Sequence, residues 1–264
     1  NATSLGIAEA KIQYDFSDVM ARVRRVIKTI EPHDSIEGYT QLGVEVLQGK
    51  AKMTSPWSVE INGQILTTRA IVIATGARPA IPKIPGLELV RYYTSDTLWS
   101  LTERPERLIV LGGGPIGCEL AQAFARLDCQ VTQVVRSDCL PREDADAVAL
   151  IKAALQADSV TLLTQTEALR CEKEGDAQYL TVRGTDGKEI KLPFDALLCA
   201  TGRVPRTEGF GLEELGIPVS SQRTIETNAW LQTIYPNIYA CGDVAGPYQF
   251  THTAAHQAWT ASVN

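Results

Sequence analysis

The sequence has no close cysteine pairs. Its six cysteines stand at 118, 129, 139, 171, 199 and 241, with no CxxC and no metal-ligand spacing. That excludes a disulfide-stapled scaffold and gives no metal site, leaving buried, reduced thiols of a cytoplasmic protein as the expectation. There is no excess of positive charge either. Lys+Arg 25 against Asp+Glu 31 leaves −6 and a pI near 5.2, so the chain as a whole has no footprint for nucleic acid. Long apolar runs are missing too. Ala70 to Ala74 and Ala196 to Ala200 have only strand length, so no membrane segment is expected. The chain opens Asn1-Ala2-Thr3, with neither Met nor a charged-then-apolar leader, and is expected to be a piece of something longer. Histidine is scarce as well: His33, His252 and His256 read as polar surface or helix residues rather than general bases.

What is present is ordinary globular material. The 264 residues (28.7 kDa) are 44% hydrophobic and 21% charged with a mean hydropathy of −0.06, enough for one large domain or two modest ones. Phe16 to Ile30 has a helical apolar period, with Arg22, Arg24, Arg25 and Lys28 on its other faces as a solvated surface. Val44–Leu47, Trp57–Ile61 and Ile65–Thr68 read as strands, the last two joined by an Asn62-Gly63 hairpin turn. Ala70–Ala74 is apolar throughout, as a strand covered on both faces would be. Pro79, Pro82 and Pro85-Gly86 then form a linker-like crossing, near which one domain is expected to give way to another.

From Arg107 strand and helix alternate. Leu108–Leu111 and Val131–Val135 read as strands, and Pro115–Leu127 and Ala145–Ala157 as helices, a pattern that predicts parallel strands with helical crossovers. Thr166–Cys171, Gln178–Arg183 and Glu189–Leu192 predict a small antiparallel meander, before a return to buried strand at Leu197–Ala200. Ile238–Ala240 reads as one more strand, and Thr251 opens a final helix.

Between the first strand and helix of this alternation lies Gly112-Gly113-Gly114-Pro115-Ile116-Gly117, a G-x-G-x-x-G in the strand-turn-helix context that the motif requires. The first glycine permits a tight turn, the second lets main chain approach a pyrophosphate, and the third lets helix pack on strand. Unpaired N–H groups at the helix start then hold the anion. The residue ending the second strand distinguishes the nicotinamide cofactors: an acid there would bond a ribose 2′-OH, whereas an Arg would meet a 2′-phosphate. Here it is Arg136, with Arg142 six residues on, which favours NADPH over NADH; the alternative is that both are surface arginines paired with Asp138 or Glu143.

Four phrases in order, Ala74-Thr-Gly-Ala-Arg-Pro79, Gly112 to Glu119, Ala200-Thr-Gly-Arg-Val-Pro205 and Ala240-Cys-Gly-Asp-Val-Ala-Gly246, resemble the pyridine nucleotide–disulfide oxidoreductase family of flavoenzymes. Within it, Leu120–Leu127 and Arg136–Arg142 are most similar to mercuric reductases, with dihydrolipoamide dehydrogenases and glutathione reductases as relatives. The resemblance implies an α/β fold in which a Rossmann-like NAD(P)-binding domain, with a parallel sheet and an antiparallel meander, is inserted in a partial FAD-binding domain. Residues 1–105 and 229–264 would be the two parts of the FAD domain and 106–228 the NAD(P) domain. Ala74, Thr75 and Gly76, and Ala200, Thr201 and Gly202, would be strand ends beside the cofactors. Glu119 and Arg203 match family residues near the contact of flavin and nicotinamide, and could otherwise be surface charges. Asp243, after Gly242, matches the aspartate that binds FAD at its ribityl and pyrophosphate region, with a turn or cap role as the alternative.

The sequence also departs from the family pattern. No G-x-G-x-x-G precedes Gly112, no two cysteines are five positions apart as the redox pair requires, and the C-terminal dimerisation domain has no counterpart. The resemblance therefore implies a central fragment, itself inactive and weak in holding FAD. For the intact parent it implies hydride transfer from NADPH to FAD and onward to a disulfide or metal-ion substrate, in a homodimer acting on small molecules. A non-catalytic dinucleotide-binding redox sensor and a disulfide-independent NAD(P)H oxidase are the alternatives.

Overall fold

The computed structural model describes Gly6, Ala8 and residues 13–264. In chain order the elements begin with α1 (Phe16–Ile30), α2 (Ile36–Gln41), β1 (Lys52–Ser55), β2 (Ser58–Ile61), β3 (Gln64–Thr67), β4 (Ile71–Ile73), β5 (Ala77–Pro79), β6 (Tyr92–Thr94) and β7 (Arg107–Leu111). They continue with α3 (Pro115–Ala125), β8 (Gln130–Val134), α4 (Ala145–Ala157), β9 (Thr161–Leu163), β10 (Glu167–Glu174), β11 (Ala177–Arg183), β12 (Glu189–Phe194), β13 (Ala196–Cys199), β14 (Arg203–Pro205), β15 (Ile238–Ala240) and α5 (Thr251–Val263). The chain divides into two compact units, one of residues 1–38 with 81–202 and one of residues 39–80 with 203–264.

The first unit is built on a five-stranded sheet of order β6-β13-β7-β8-β9, parallel throughout. Its inner strands β7 and β13 are apolar on both faces over Leu108–Leu111 and Ala196–Cys199 because both faces are covered there. Alternation along β7 sends Leu108 and Val110 into a cluster with Leu98, Phe124, Leu155 and Leu198. It sends Ile109 and Leu111 the other way, into a cluster with Leu180, Val182, Phe194 and Leu197 from the sheet and the β10-β11-β12 meander. Full burial of each such side chain contributes about 1.5–3 kcal/mol. Helix α1 belongs here: Asp15 caps it by accepting from Ser17 N–H at 2.7 Å, and Phe16 and Met20 join the first cluster. Helix α4 is capped likewise, Asp144 accepting from Asp146 and Ala147 N–H.

The second unit holds a three-stranded antiparallel sheet β1-β2-β3, a parallel pair β4-β15 and an antiparallel pair β5-β14. Asn62 and Gly63 turn between β2 and β3 with φ of 54° and 79°, the double left-handed turn that an Asn-Gly hairpin uses. One cluster forms the core: Met53, Ile73, Leu212, Ile217, Ile225, Ile238, Ala240 and Val244.

Two sequence expectations change. Val44–Leu47 is not a strand and lies exposed; the strand that pairs with β2 is Lys52–Ser55, selected by its hairpin partner rather than by apolar content. Within Ala70–Ala74 only Ile73 is buried, and Val72 is 46% exposed, because β4 pairs with β15 alone among the described residues. The compact units divide at 38/39, 80/81 and 202/203: β6 completes the large sheet through β13, while Leu212, Ile217 and Ile225 pack beside Met53.

Candidate dinucleotide and flavin sites

In the first unit β7 runs into Gly112, the chain turns, and α3 begins at Pro115. A Cβ on Gly112 would lie 2.2 Å from the Ala200 carbonyl oxygen, and its φ of 117° is closed to ordinary side chains. A Cβ on Gly117 would lie 2.5 Å from the Gly112 oxygen. A Cβ on Gly114, by contrast, would meet nothing within 4 Å. Two glycines are thus closed in by main chain and the middle one faces open space, the division of labour that a pyrophosphate cradle needs. Gly114 is the helix N-cap without a side chain to cap it, and Pro115 has no N–H, so the first-turn donors, including those of Ile116 and Gly117, have no intrahelical acceptor. These residues fit an anionic dinucleotide phosphate.

Sequence reasoning overlooked Gly113. A Cβ there would press on Val135 Cγ1 at 2.6 Å, and its carbonyl accepts from Leu140 N–H at 2.7 Å. That bond ties the segment between Arg136 and Arg142 to the glycine loop. Both arginines are exposed. Asp138, a candidate partner for them, instead pairs with Lys152 at 2.5 Å, and no ion pair to either arginine occurs among the described residues. Lys152 and the Cys139 N–H hold the Asp138 carboxyl below the usual carboxylate range. Ala200 N–H donates to Leu111 at 2.8 Å, placing the start of Ala200-Thr201-Gly202 beside the glycine loop; Thr201 and Gly202 are exposed. Glu119 is exposed on α3.

In the second unit Arg203 donates to the Ala77 oxygen at 3.0 Å, and its Nε lies 3.4 Å from Asp243 Oδ2, with both side chains about a quarter exposed or less, 26% and 21%. Thr75 Oγ1 donates to the Arg206 oxygen at 2.8 Å and Arg206 N–H to the Gly76 oxygen at 2.9 Å, which fixes Ala74, Thr75 and Gly76 beside β14. Gln257, which the sequence gave no reason to single out, clamps the Asp243 loop: it accepts from Gly242 N–H and donates to the Gly246 oxygen, each at 2.7 Å. Its distance along the chain hid it; only the start of α5 brings it back to the loop. An acceptor carboxylate on a loop held this firmly fits the hydroxyl-rich ribityl and ribose portions of a flavin nucleotide.

Each of three comparisons with known proteins includes matches over nearly the whole chain. The family profile for pyridine nucleotide-disulphide oxidoreductases matches residues 6–258. The chain belongs to this family. It is 35% identical to a mercuric reductase of Staphylococcus aureus, over 97% of this chain and 46% of that one. It is 34% identical to a dihydrolipoyl dehydrogenase of Thermus scotoductus, over 84% and 48%. Among solved structures, the Cu(II) complex of the HOCl-induced flavoprotein disulfide reductase RclA from Escherichia coli superposes with a TM-score of 0.85 at 29% identity, covering 94% of this chain and 56% of that one. The chain spans about half the length of the curated relatives it matches. The family's cofactors are FAD and a nicotinamide nucleotide.

All six cysteines are free and buried. Burial pushes the thiols of Cys129 and Cys171 up to about 11 and that of Cys199 up to about 12. Cys118 and Cys139 differ because their thiols meet: the hydrogen bond from Cys139 lowers Cys118 and raises its partner. Among the described residues no helix is long and apolar enough to cross a membrane, and no group of three His, Cys, Asp or Glu is placed to hold a metal ion.

Proposed function

We propose that this chain is the cofactor-binding portion of a cytoplasmic, homodimeric, FAD-dependent NAD(P)H oxidoreductase that acts on a disulfide or a metal-ion substrate. The observation that carries the reading is the contrast within the glycine loop, where Gly112 and Gly117 are closed in and Gly114 faces open space. When bound, the nicotinamide nucleotide and the flavin would supply two-electron hydride chemistry.

The chain's own residues bind and orient. Gly112, Gly114, Pro115, Ile116 and Gly117 receive the dinucleotide pyrophosphate on backbone N–H groups and the helix dipole. Arg136 and Arg142 take the 2′-phosphate of NADPH, a role supported by the engagement of Asp138 with Lys152. Glu119 orients the nicotinamide end, with Ala200, Thr201 and Gly202 as close backbone. Ala74, Thr75, Gly76 and Gly242 would lie against a flavin, and Asp243, held in place by Arg203, would accept from its ribityl hydroxyls. Six buried, unpaired thiols suit a reducing compartment.

Titrating the purified chain with NADPH and NADH, followed by calorimetry, tests the reading. NADPH should bind at least about ten-fold more tightly, one pair of charge-assisted phosphate contacts being enough for that difference. Ten-fold tighter binding of NADH, or binding of neither, would overturn it.

A further inference from the structure

Strand β8 lies inside the parallel sheet between β7 and β9, where aliphatic side chains are the rule. Val131 and Val134 follow it. Gln133 does not: its side chain is fully buried, at 0% exposure. Its Nε2 donates to the Gly112 oxygen at 2.9 Å and lies 3.5 Å from Cys118 Sγ, while Oε1 has no hydrogen-bond partner. An amide half satisfied in an apolar interior lowers stability relative to a hydrocarbon of the same length, so packing alone does not account for it.

The glycine loop supplies the missing reason. Gly112 is gripped by β8 at both ends of the residue, its N–H donating to the Val134 oxygen at 2.9 Å and its carbonyl accepting from Gln133. Because the peptide is planar and trans, fixing the Gly112 carbonyl toward β8 turns the Gly113 N–H the opposite way. Gly117 closes the same corner, since a Cβ there would lie 3.3 Å from Gln133 Nε2. We propose that Gln133 is a positioning residue for dinucleotide binding: its side-chain amide locks the Gly112-Gly113 peptide, and with it the orientation of the loop donors offered to a pyrophosphate. The inference rests on the dinucleotide reading given above.

The test uses Gln133→Met and Gln133→Leu in the full chain, both apolar and both close to Gln in size. NADPH and ADP-ribose affinities are measured by calorimetry, thermal midpoints by scanning calorimetry, and loop amide exchange by NMR without ligand. The expected result separates binding from stability: affinity for both ligands falls about ten-fold while the midpoint changes little, removal of the unsatisfied Oε1 offsetting loss of the bond to the Gly112 oxygen. Amide exchange at Gly113 and Gly114 should quicken while that of β7 is unchanged. Unchanged affinity in both variants, or parallel losses of affinity and midpoint, would overturn the positioning role; so would unaltered loop exchange. Failure of the unsubstituted chain to bind either ligand would instead overturn the dinucleotide reading, and with it the purpose assigned to Gln133.

Discussion

The two units solve the problem of burying a sheet differently. The first has one large parallel sheet with an apolar cluster on each face, so that Leu108 to Leu111 of β7 and every residue of β13 are buried. The second divides its strands among three small sheets around a single cluster, and leaves Trp57, Ile65, Val72, Trp230 and Trp259 exposed. Where both faces are covered, a loop at a strand end inherits the rigidity of the sheet. Where one face is covered, side-chain clamps such as Gln257 on the Asp243 loop must do that job.

The largest effect should come from the glycine loop. Gly112→Ala sets a methyl group 2.2 Å from main chain at a left-handed φ, and is expected to cost about 3 kcal/mol or more and to abolish nucleotide binding. Gly114→Ala, facing open space, should change stability by only about 0.5 kcal/mol while still weakening binding. Denaturant unfolding beside NADPH titration separates the two outcomes; equal destabilisation would break the account of the loop.

Next comes the contrast between strands. Leu198→Ala, at a fully buried position of β13, is expected to cost about 3 kcal/mol, and Val72→Ala on β4 less than about 1 kcal/mol. Comparable losses in urea midpoint would mean that β4 is as well covered as β13.

The smallest effect is electrostatic. Arg107 holds the Asp195 carboxyl below the usual carboxylate range, through a 2.7 Å contact to its guanidinium and the Arg107 backbone N–H. A carboxyl depressed in the folded state stabilises the fold above its unfolded value, near 4, and loses that contribution as pH falls through the folded value. With both side chains more than a third exposed, at 40% and 36%, the contribution should be about 0.5–1 kcal/mol. Asp195→Asn should therefore lower stability at neutral pH and flatten its decline in acid; an unchanged acid decline would remove Asp195 from the account.

Much of the first unit was legible in the sequence because its signals are local. The apolar period of Phe16–Ile30, the alternation from Leu108 to Ala157 and the spacing of Gly112, Gly114 and Gly117 all report on neighbours within a few residues. What escaped depends on pairing partners rather than on a segment's own pattern. Lys52–Ser55 becomes a strand through β2, and Tyr92–Thr94 through β13, more than a hundred residues later in the chain. Gly113 looked like the free position of the motif, yet the segment after β8 makes it obligatory. Gln133 and Gln257 carry no motif, and only their bonds to Gly112, Gly242 and Gly246 single them out.

The double grip of β8 on Gly112 has a thermodynamic consequence. Ordering a flexible glycine loop costs conformational entropy, and a loop that orders only on binding loses that much affinity. Here the ordering accompanies sheet formation, so the proposed binding loop is held in place before any ligand arrives. Nucleotide affinity is then linked to the stability of β8: whatever loosens that strand from afar weakens binding, and ligand, by mass action, tightens the strand in return.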